Sequence, residues 1–282
     1  PPPVVLGLTD DTGTKGDFIT HMDQMTGPSI RIDGSSIVDQ GKLEFSTDGG
    51  KNWSSSYTPH EGVNSFQVRQ VDLAGNASAG VPVTYTVDNT VAAPTVALTN
   101  DTGSSPTDLV TTDGQLSLSG IEQGATVEYS TDGGTNWSTS FTPVDGANNV
   151  QVRQTDVAGN VSAPASISFT LDTQIATPTV ALTNDTGTAG DLITTDGQLS
   201  IGGQESGATL EYSTDGGQSW QTSFTPQSGS NSVQVRQTDA AGNVSQAASL
   251  TFTLDSSAAA PTVALTTDSG TSTTDTVTNV GT

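Results

Sequence analysis

The chain has 282 residues, a formal net charge of −23 and no cysteine. Without cysteine it has no disulfides and no thiolate metal sites. Seven Lys and Arg residues stand against 30 acidic residues, so the chain lacks the basic surface that binding to nucleic acid or to an anionic membrane requires. Six of the acidic residues are Glu and 24 are Asp. This much like charge opposes a compact fold unless it is widely spread or neutralised by cations.

Two motifs repeat along the chain at a nearly constant distance. The run Ser-Thr-Asp-Gly-Gly begins at Ser46, Ser130 and Ser213, so the spacing is 84 and then 83 residues. The run Asp-x-Ala-Gly-Asn repeats with the same period from Asp72, and such a period indicates tandem domains. The predicted boundaries are residues 1–88, 89–172 and 173–255 for three repeats, followed by the start of a fourth at 256–282. We therefore expect the sequence to be a piece of a longer protein.

Alternating apolar and polar residues between turn residues predict β-strands in every repeat. In the second repeat the expected strands are residues 95–98, 115–118, 126–130, 138–142, 149–156 and 166–172. Val150, Val152 and Gln154 share one phase of the alternation and are expected to face the core. The predicted fold is all-β, a series of tandem immunoglobulin-like β-sandwiches. Because the linkers are short, the sandwiches are expected to lie end to end as a rod.

The motif Ser-x-Asp-x-Gly-x-x-Trp occurs once per repeat, at Ser46, Ser130 and Ser213. It resembles the Asp-box of sialidases and other β-proteins. We interpret it as a hairpin device, in which Asp accepts hydrogen bonds from the turn, Gly adopts positive φ and Trp packs on the hairpin. It is the one feature in favour of an enzyme accessory domain, and no catalytic arrangement of side chains recurs with it.

Each repeat also has one Arg and one Glu on strands expected to be neighbours. The pairs are Glu44 with Arg69, Glu128 with Arg153, and Glu211 with Arg236. Both side chains fall on the outward phase of their strands, which predicts a cross-strand ion pair. Such a surface pair contributes under about 1 kcal/mol to stability.

The loops after the first strand of each repeat are rich in Asp and Asn. In the third repeat Asn184, Asp185, Asp191 and Asp196 lie within a dozen or so positions, a supply of oxygen ligands that suits Ca²⁺. The same residues also form ordinary turns, and that reading stays open. The predicted metal ligands are Asp11, Asp17, Asp23, Asp72, Asp88, Asn100, Asp101, Asp108, Asp113, Asp156, Asp172, Asn184, Asp185, Asp191, Asp196, Asp239 and Asp255.

The topology of a sandwich predicts where these residues meet. The loop after the first strand and the end of the last strand share one pole, so Asp101, Asp108 and Asp113 should approach Asp172. The last hairpin of the following repeat, which carries Asp239, points back at that pole. We expect complete calcium junctions near Asp88 and Asp172, and a partial one near Asp255 because the following repeat ends at Thr282.

Taken together, these motifs resemble the bacterial immunoglobulin-like repeats of giant adhesins, the type I secreted, RTX-type, biofilm-associated surface proteins. The residues that carry the resemblance are the TNDTG run, Asp-x-x-Thr-x-Asp from Asp191, Asp-x-Ala-Gly-Asn-x-Ser from Asp239, and Leu-Asp before the linker. The resemblance implies extender domains with Ca²⁺ at or near their junctions. The first repeat departs from the pattern, with His21-Met22-Asp23 and an insertion.

We therefore predict a non-catalytic spacer at the bacterial cell surface. Calcium would stiffen it, so that it projects an adhesive domain located elsewhere in the parent protein. We expect a monomer whose partners are its own neighbouring repeats, and no membrane insertion because no run of 18 apolar residues is present. The alternative is that the repeats themselves bind a carbohydrate or ice. A carbohydrate site would need an exposed aromatic platform, whereas the recurrent aromatic residues are expected in hairpin or core positions.

Overall fold

The computed structural model describes residues 1–22, 30–37, 41–263 and 276. It contains two compact units, Pro1–Thr173 with Ala240–Asn243, and Gln174–Asp239 with Val244–Thr282. Most of the predicted fourth repeat lies outside the described residues, and the repeat boundaries remain a prediction. Over the described residues the regular structure is β-strand, with one 3-10 turn at Gly34–Ser36. No helix in this part of the chain is long and apolar enough to span a membrane.

The first repeat forms two sheets. Its strands are β1 (Val5–Leu8), β2 (Ile19–Thr20), β3 (Ile30–Ile32), β4 (Lys42–Ser46), β5 (Gly62–Val71) and β6 (Val81–Val87). Strand β1 pairs with β3, and the second sheet has the order β2-β6-β5-β4. Strand β2 runs parallel to β6, whereas the other pairs are antiparallel.

The second repeat has the same topology. Its strands are β7 (Thr95–Leu98), β8 (Val110–Thr111), β9 (Leu116–Ser119), β10 (Thr126–Ser130), β11 (Gly146–Thr155) and β12 (Ala165–Leu171). Strand β7 pairs with β9, and the larger sheet has the order β10-β11-β12-β8, with β8 parallel to β12.

The second unit contains the strands of the third repeat. They are β13 (Thr179–Leu182), β14 (Ile193–Thr194), β15 (Leu199–Gly202), β16 (Thr209–Ser213), β17 (Gly229–Thr238) and β18 (Ala248–Leu254). The sheets β13-β15 and β14-β18-β17-β16 reproduce the same arrangement. The predicted all-β fold of tandem sandwiches is confirmed.

The predicted core phase of β11 is also confirmed. Val150 and Val152 are 2% and 0% exposed, and they form a core cluster with Phe169 and Leu171 of β12. Gln154 follows in the same phase and is fully buried. A buried amide requires hydrogen-bond partners, and one partner of Gln154, the carbonyl of Ala92, lies in the linker that leads into the second repeat.

Two local predictions differ from the structure. Residues 138–142 do not form a strand, because only Ser138 makes an isolated bridge, to Tyr129. Strand β8 was not expected, since two residues give no alternation to detect. It forms because Leu109 adopts a positive φ of 59°, and its carbonyl then accepts from Thr170 N at 2.8 Å.

The Ser-x-Asp-x-Gly-x-x-Trp motif closes a hairpin, as predicted. In the second repeat Asp132 Oδ1 accepts from Ser130 Oγ at 2.8 Å and from the backbone N of Asn136 at 2.9 Å. Gly134 has φ of 88°, and Trp137 Nε1 donates to its carbonyl at 3.0 Å. The first and third repeats form the same bonds around Asp48 and Asp215.

The cross-strand ion pairs are confirmed as well. Glu128 stands opposite Arg153 in the register of β10 and β11, with Nε and Oε2 2.9 Å apart. Arg69 and Arg236 form the same pair with Glu44 and Glu211. The sequence did not predict that each guanidinium also lies over the Trp ring of the hairpin, 4.0 to 4.1 Å from its centroid. Arg therefore fixes the hairpin to the sheet through a cation–π contact.

Candidate metal centre at the junction of the first two repeats

Three carboxylates from three chain segments meet within the first unit. They belong to Asp88, which follows β6, to Glu122, which follows β9, and to Asp156, which follows β11. One oxygen from each lies within 4.8 Å of the others. Asp156 is 6% exposed, and the other two are partly buried.

The Asp-x-Ala-Gly-Asn turn holds Asp156 in place. Asp156 Oδ1 accepts from the backbone N of Asn160 at 2.8 Å, and Oδ2 accepts from Asn160 Nδ2 at 2.7 Å. The same amide group donates to the carbonyl of Asp88 at 2.8 Å. One side chain thus links the two acidic residues and sets the distance between their segments.

The corresponding turn of the first repeat provides an internal comparison. Asp72 accepts the same two bonds from Asn76, at 2.8 and 2.9 Å. Asn76 is exposed, however, whereas Asn160 is 8% exposed. Ala158 is fully buried and its counterpart Ala74 is exposed. The turn is therefore formed locally in both repeats, and in the second repeat a contact with a neighbouring segment also buries it.

The segment that covers this turn is the acidic loop of the first repeat. Thr12 Oγ1 donates to the carbonyl of Ala158 at 2.5 Å, and Thr14 N donates to that of Val157 at 3.0 Å. Between them Gly13 has φ of 61°, and a Cβ there would lie 2.0 Å from Val157 O. The residue must be glycine for the two backbones to approach this closely.

The linker is bound to the second repeat by Glu122 and Gln154. Glu122 Oε1 accepts from Ala92 N at 3.2 Å. Gln154 Nε2 donates to the carbonyls of Ala92 and Gly120, at 2.8 and 2.9 Å, and its Oε1 accepts from Glu122 N at 2.8 Å. The amide of Gln154 therefore fixes both the linker and the backbone of Glu122.

The three carboxylates repel one another unless a cation neutralises them. Two unit charges about 4 Å apart near a protein surface interact by on the order of 4 kcal/mol. Calcium–oxygen distances are about 2.4 Å, so the oxygens on one ion lie no more than twice that distance apart. The three oxygens meet this requirement, since all of them lie within 4.8 Å of one another, and an all-oxygen donor set suits Ca²⁺ better than a softer metal.

A second observation fits the same ion chemistry. Asp11, Asp101 and Asp185 occupy the same position in the acidic loops of the three repeats, and in each the Oδ1 atom is buried without a hydrogen-bond partner among the described residues. A buried carboxylate oxygen with no donor is costly. The Oδ2 atoms are satisfied, by Gly16 N, Leu109 N and Gly190 N respectively. An ion bound at Oδ1 would give this buried oxygen a partner in all three repeats.

Other predicted ligands support the loops with their own hydrogen bonds. Asp17, Asp108 and Asp191 each accept from the backbone N two residues later, where β2, β8 and β14 begin. Asp113 accepts from Asn100 Nδ2 at 2.7 Å, and Asp196 from Asn184 Nδ2 at 2.8 Å. These amide bonds lower the pKa of Asp113 and of Asp196. Turn formation thus accounts for part of the acidic pattern.

The remaining predicted ligands are dispersed or belong to different units. Asp255 Oδ1 accepts from Ser257 N at 3.2 Å, and Asp23 lies outside the described residues. Asp172 belongs to the first unit and Asp239 to the second, so the junction expected near Asp172 stays a prediction. Within the first unit, Thr102 Oγ1 donates to Ala241 O and Asn243 Nδ2 donates to Asp172 O, as Thr12 and Asn160 do with Ala158 and Asp88.

Glu122 was not among the predicted ligands. The predicted ligands are all Asp or Asn residues, and a structural role was predicted only for the Glu residues of the strand ion pairs. The available signal was the period, since Glu122 recurs as Glu205 after 83 residues. Glu205 repeats the local bond, accepting from Ala176 N at 2.8 Å.

Two parts of the chain match known family models. Residues 90–173 match the family model described as a bacterial Ig-like domain. This match supports a bacterial immunoglobulin-like character for the repeats. Residues 188–247 of the third repeat match the model of the chitobiase/beta-hexosaminidase C-terminal domain. No curated protein matches the chain.

The solved structures to which the chain is similar are distant in sequence. The fibronectin(III)-like modules of CbhA from Clostridium thermocellum are 18% identical, over 60% of this chain and 94% of that chain, with a TM-score of 0.31. A structure from a 1.5-MDa bacterial ice-binding adhesin is 17% identical, over 90% of this chain and 98% of that chain, with a TM-score of 0.34. Drosophila N-cadherin EC1-3 is 12% identical, over 83% and 96%, with a TM-score of 0.21. Scores this low carry no argument about function.

Proposed function

We propose that this chain is a non-catalytic extender region of a bacterial surface adhesin, rigidified by Ca²⁺ where successive repeats meet. The observation that carries the proposal is the meeting of Asp88, Glu122 and Asp156 beside the linker. Asp88 ends one repeat and the other two belong to the next, so an ion bound to all three would restrain both. The family match of the second repeat to a bacterial Ig-like domain supports the bacterial surface setting.

The mechanism is linkage between ion binding and order. An ion that binds the ordered junction better than the disordered one stabilises it by mass action. Calcium therefore shifts the population towards conformers with a fixed angle between repeats. Without the ion, repulsion among the three carboxylates favours opening. High extracellular calcium would give a stiff spacer that holds a binding domain of the parent protein away from the cell.

The decisive experiment uses two matched substitutions, Asp156→Asn and Asp72→Asn. Both remove one charge from the same turn, but only Asp156 lies beside two other carboxylates among the described residues. We expect Asp156→Asn to weaken the junction ion by about tenfold or more, because ligand charge sets calcium affinity. Asp72→Asn should leave that ion unchanged. Isothermal titration of the whole chain with Ca²⁺ measures both.

Small-angle scattering and thermal unfolding, each with calcium and with chelator, test the mechanical part. Calcium should increase both the maximum dimension and the melting temperature of the wild-type chain. In chelator, the Asp156→Asn variant should be at least as stable as the Asp72→Asn variant, because it lacks one of the three carboxylates that repel one another at the junction. If the maximum dimension and melting temperature do not respond to calcium, or if both variants titrate like the wild type, the proposal fails.

A further inference from the structure

A groove lies beside the Trp hairpin at equivalent positions of the second and third repeats. Its volume is about 290 Å³ in the second repeat and about 380 Å³ in the third. Both grooves have an aromatic pair in the wall, Tyr129 with Phe141 in one repeat and Tyr212 with Phe224 in the other, and Trp137 also lines the groove of the second repeat. Because the two grooves belong to different units, each is formed within its own repeat.

The aromatic pair is packed together but not buried. The rings of Tyr129 and Phe141 are 6.1 Å apart at an interplanar angle of 25°, and those of Tyr212 and Phe224 are 6.3 Å apart at 24°. All four side chains are partly exposed. Each pair also packs against the core cluster of its own repeat, as expected from the sequence. The groove therefore has an apolar wall that belongs to the edge of the core and is partly in contact with solvent.

The polar groups of the groove are uncharged in the third repeat, whereas in the second repeat Asp132 is one of them. Gln221, Ser223 and Thr225 line it and are exposed. The hydroxyl of Tyr212, like that of Tyr129, makes no hydrogen bond to any residue that the structure describes. Hydroxyl and amide groups each donate and accept. The groove thus combines an apolar wall with unpaired hydrogen-bond donors and acceptors.

The first repeat shows the same positions in a closed form. Phe45 replaces the tyrosine and Tyr57 replaces the phenylalanine, and both are 8% exposed. Phe66, where the other repeats have valine, packs against both rings. The hydroxyl of Tyr57 donates to Asn64 Oδ1 at 2.6 Å. The first repeat therefore has a buried aromatic pair whose hydroxyl group is hydrogen-bonded, as is usual in a protein core. In the second and third repeats the pair is partly exposed, and its hydroxyl group has no partner among the described residues.

We propose that these grooves bind a neutral oligosaccharide of pyranose units. Aromatic faces contact the C–H surface of a sugar ring, and neutral donors and acceptors match its hydroxyl groups. The volumes lie near the lower end of those of small-ligand sites, about 300 Å³. A formal charge of −23 disfavours an acidic glycan. This function is independent of the calcium junction, because Asp88, Glu122 and Asp156 do not line either groove.

The test is NMR titration of the whole chain, in calcium, with maltohexaose, cellohexaose and mannohexaose, and with hexagalacturonate as the acidic counterpart. We expect one of the neutral hexasaccharides to shift the backbone amides of Ser140 and Ser223. The double variant Tyr129→Phe/Tyr212→Phe should bind it about three- to tenfold more weakly, the effect of one neutral hydrogen bond. Filling the grooves with Ser140→Trp/Ser223→Trp should abolish the shifts, and since both serines are exposed the fold should persist.

Tyr57→Phe is the matched control, since it removes a tyrosine hydroxyl from the closed first repeat and should leave binding unchanged. The proposal is overturned if no neutral hexasaccharide shifts these amides at about 10 mM, a concentration that detects very weak affinity. It is equally overturned if hexagalacturonate binds as well as the neutral sugars, or if the groove variants bind like the wild type.

Discussion

The Asp of each hairpin motif acts through hydrogen bonds to its ionised form. Bonds from the backbone and side chain of Asn52, and from Ser46, lower the pKa of Asp48 from 3.8 to about 2. Asn136 and Ser130 lower the pKa of Asp132 in the same way, also to about 2. For Asp215 the side chain of Ser219 is the main cause of a lowered pKa. The sequence motif predicts this arrangement because all its members lie within eight residues.

The lowered pKa values predict how hairpin stability depends on pH. A carboxyl whose pKa is lower in the folded state stabilises that state above its unfolded pKa, and the contribution is lost as the pH falls through the folded pKa. For Asp132 this window runs from about pH 4 to about pH 2. Asp132→Asn should therefore melt at a lower temperature than wild type at pH 6, and the difference should shrink towards pH 2.

The Trp137 indole N–H signal reports on this hairpin during thermal unfolding, since that group donates to Gly134 O within it. A melting difference between wild type and Asp132→Asn that stays constant from pH 6 to pH 2 would contradict the assigned role.

Glu122 shows the limit of residue-level prediction. No local motif surrounds it, and its importance arises from Asp88 and Asp156, which are distant in sequence.

At the level of elements, one buried amide joins strand β11 to the linker. Gln154 continues the alternation of Val150 and Val152, so the sequence correctly predicts that its side chain faces the core. Its partners, Ala92 O, Gly120 O and Glu122 N, are backbone atoms of other segments. Backbone partners leave no trace in a sequence pattern, and therefore the fixation of the linker could not be predicted.

The substitution Gln154→Met tests this element. It keeps the approximate shape of the side chain but leaves three backbone groups without their partner. We expect the free energy of unfolding of the second repeat to fall by about 2–4 kcal/mol. Gln115→Met is the control, because Gln115 is exposed and its side chain has no hydrogen-bond partner in the described part of the chain. Urea unfolding followed at Trp137 should separate the two variants, and similar midpoints would show that the buried amide is dispensable.

At the level of the molecule, the repeat period, the strand content and the sandwich topology follow from the sequence. These features depend on local alternation and on motifs that occur three times, so each copy supports the others. The approach of the last hairpin of a repeat to the end of the preceding repeat was also expected from topology, and Asp156 and Asp88 are such a pair. The close approach of Gly13 to Val157 did not, because contacts between backbone atoms leave no pattern in the sequence. Gly103 makes the same approach, to Ala240 O, whereas a Cβ at Gly187 would meet nothing within 4 Å among the described residues.

This difference supplies a matched pair of substitutions, Gly13→Ala and Gly187→Ala. Both positions have positive φ, 61° and 84°, so both variants carry a backbone cost of about 1 kcal/mol. Only the Cβ of Gly13→Ala collides with Val157 O. We expect this variant to lose a further 1–3 kcal/mol or so and to loosen the junction. Residual dipolar couplings of the first two repeats measure the change in orientation, and equal effects of the two substitutions would refute the close approach.

The parallel pair formed by the short strand β8 and the last strand β12 has a mechanical consequence. The chain enters a repeat ahead of β8 and leaves it after β12. A force that pulls the two ends apart therefore slides these strands along each other. The bonds from Thr170 N to Leu109 O and from Asp172 N to Thr111 O are loaded in shear and must break together, not one after another. Strands β2 with β6 and β14 with β18 have the same geometry, so each of these three repeats resists stretching at its own ends.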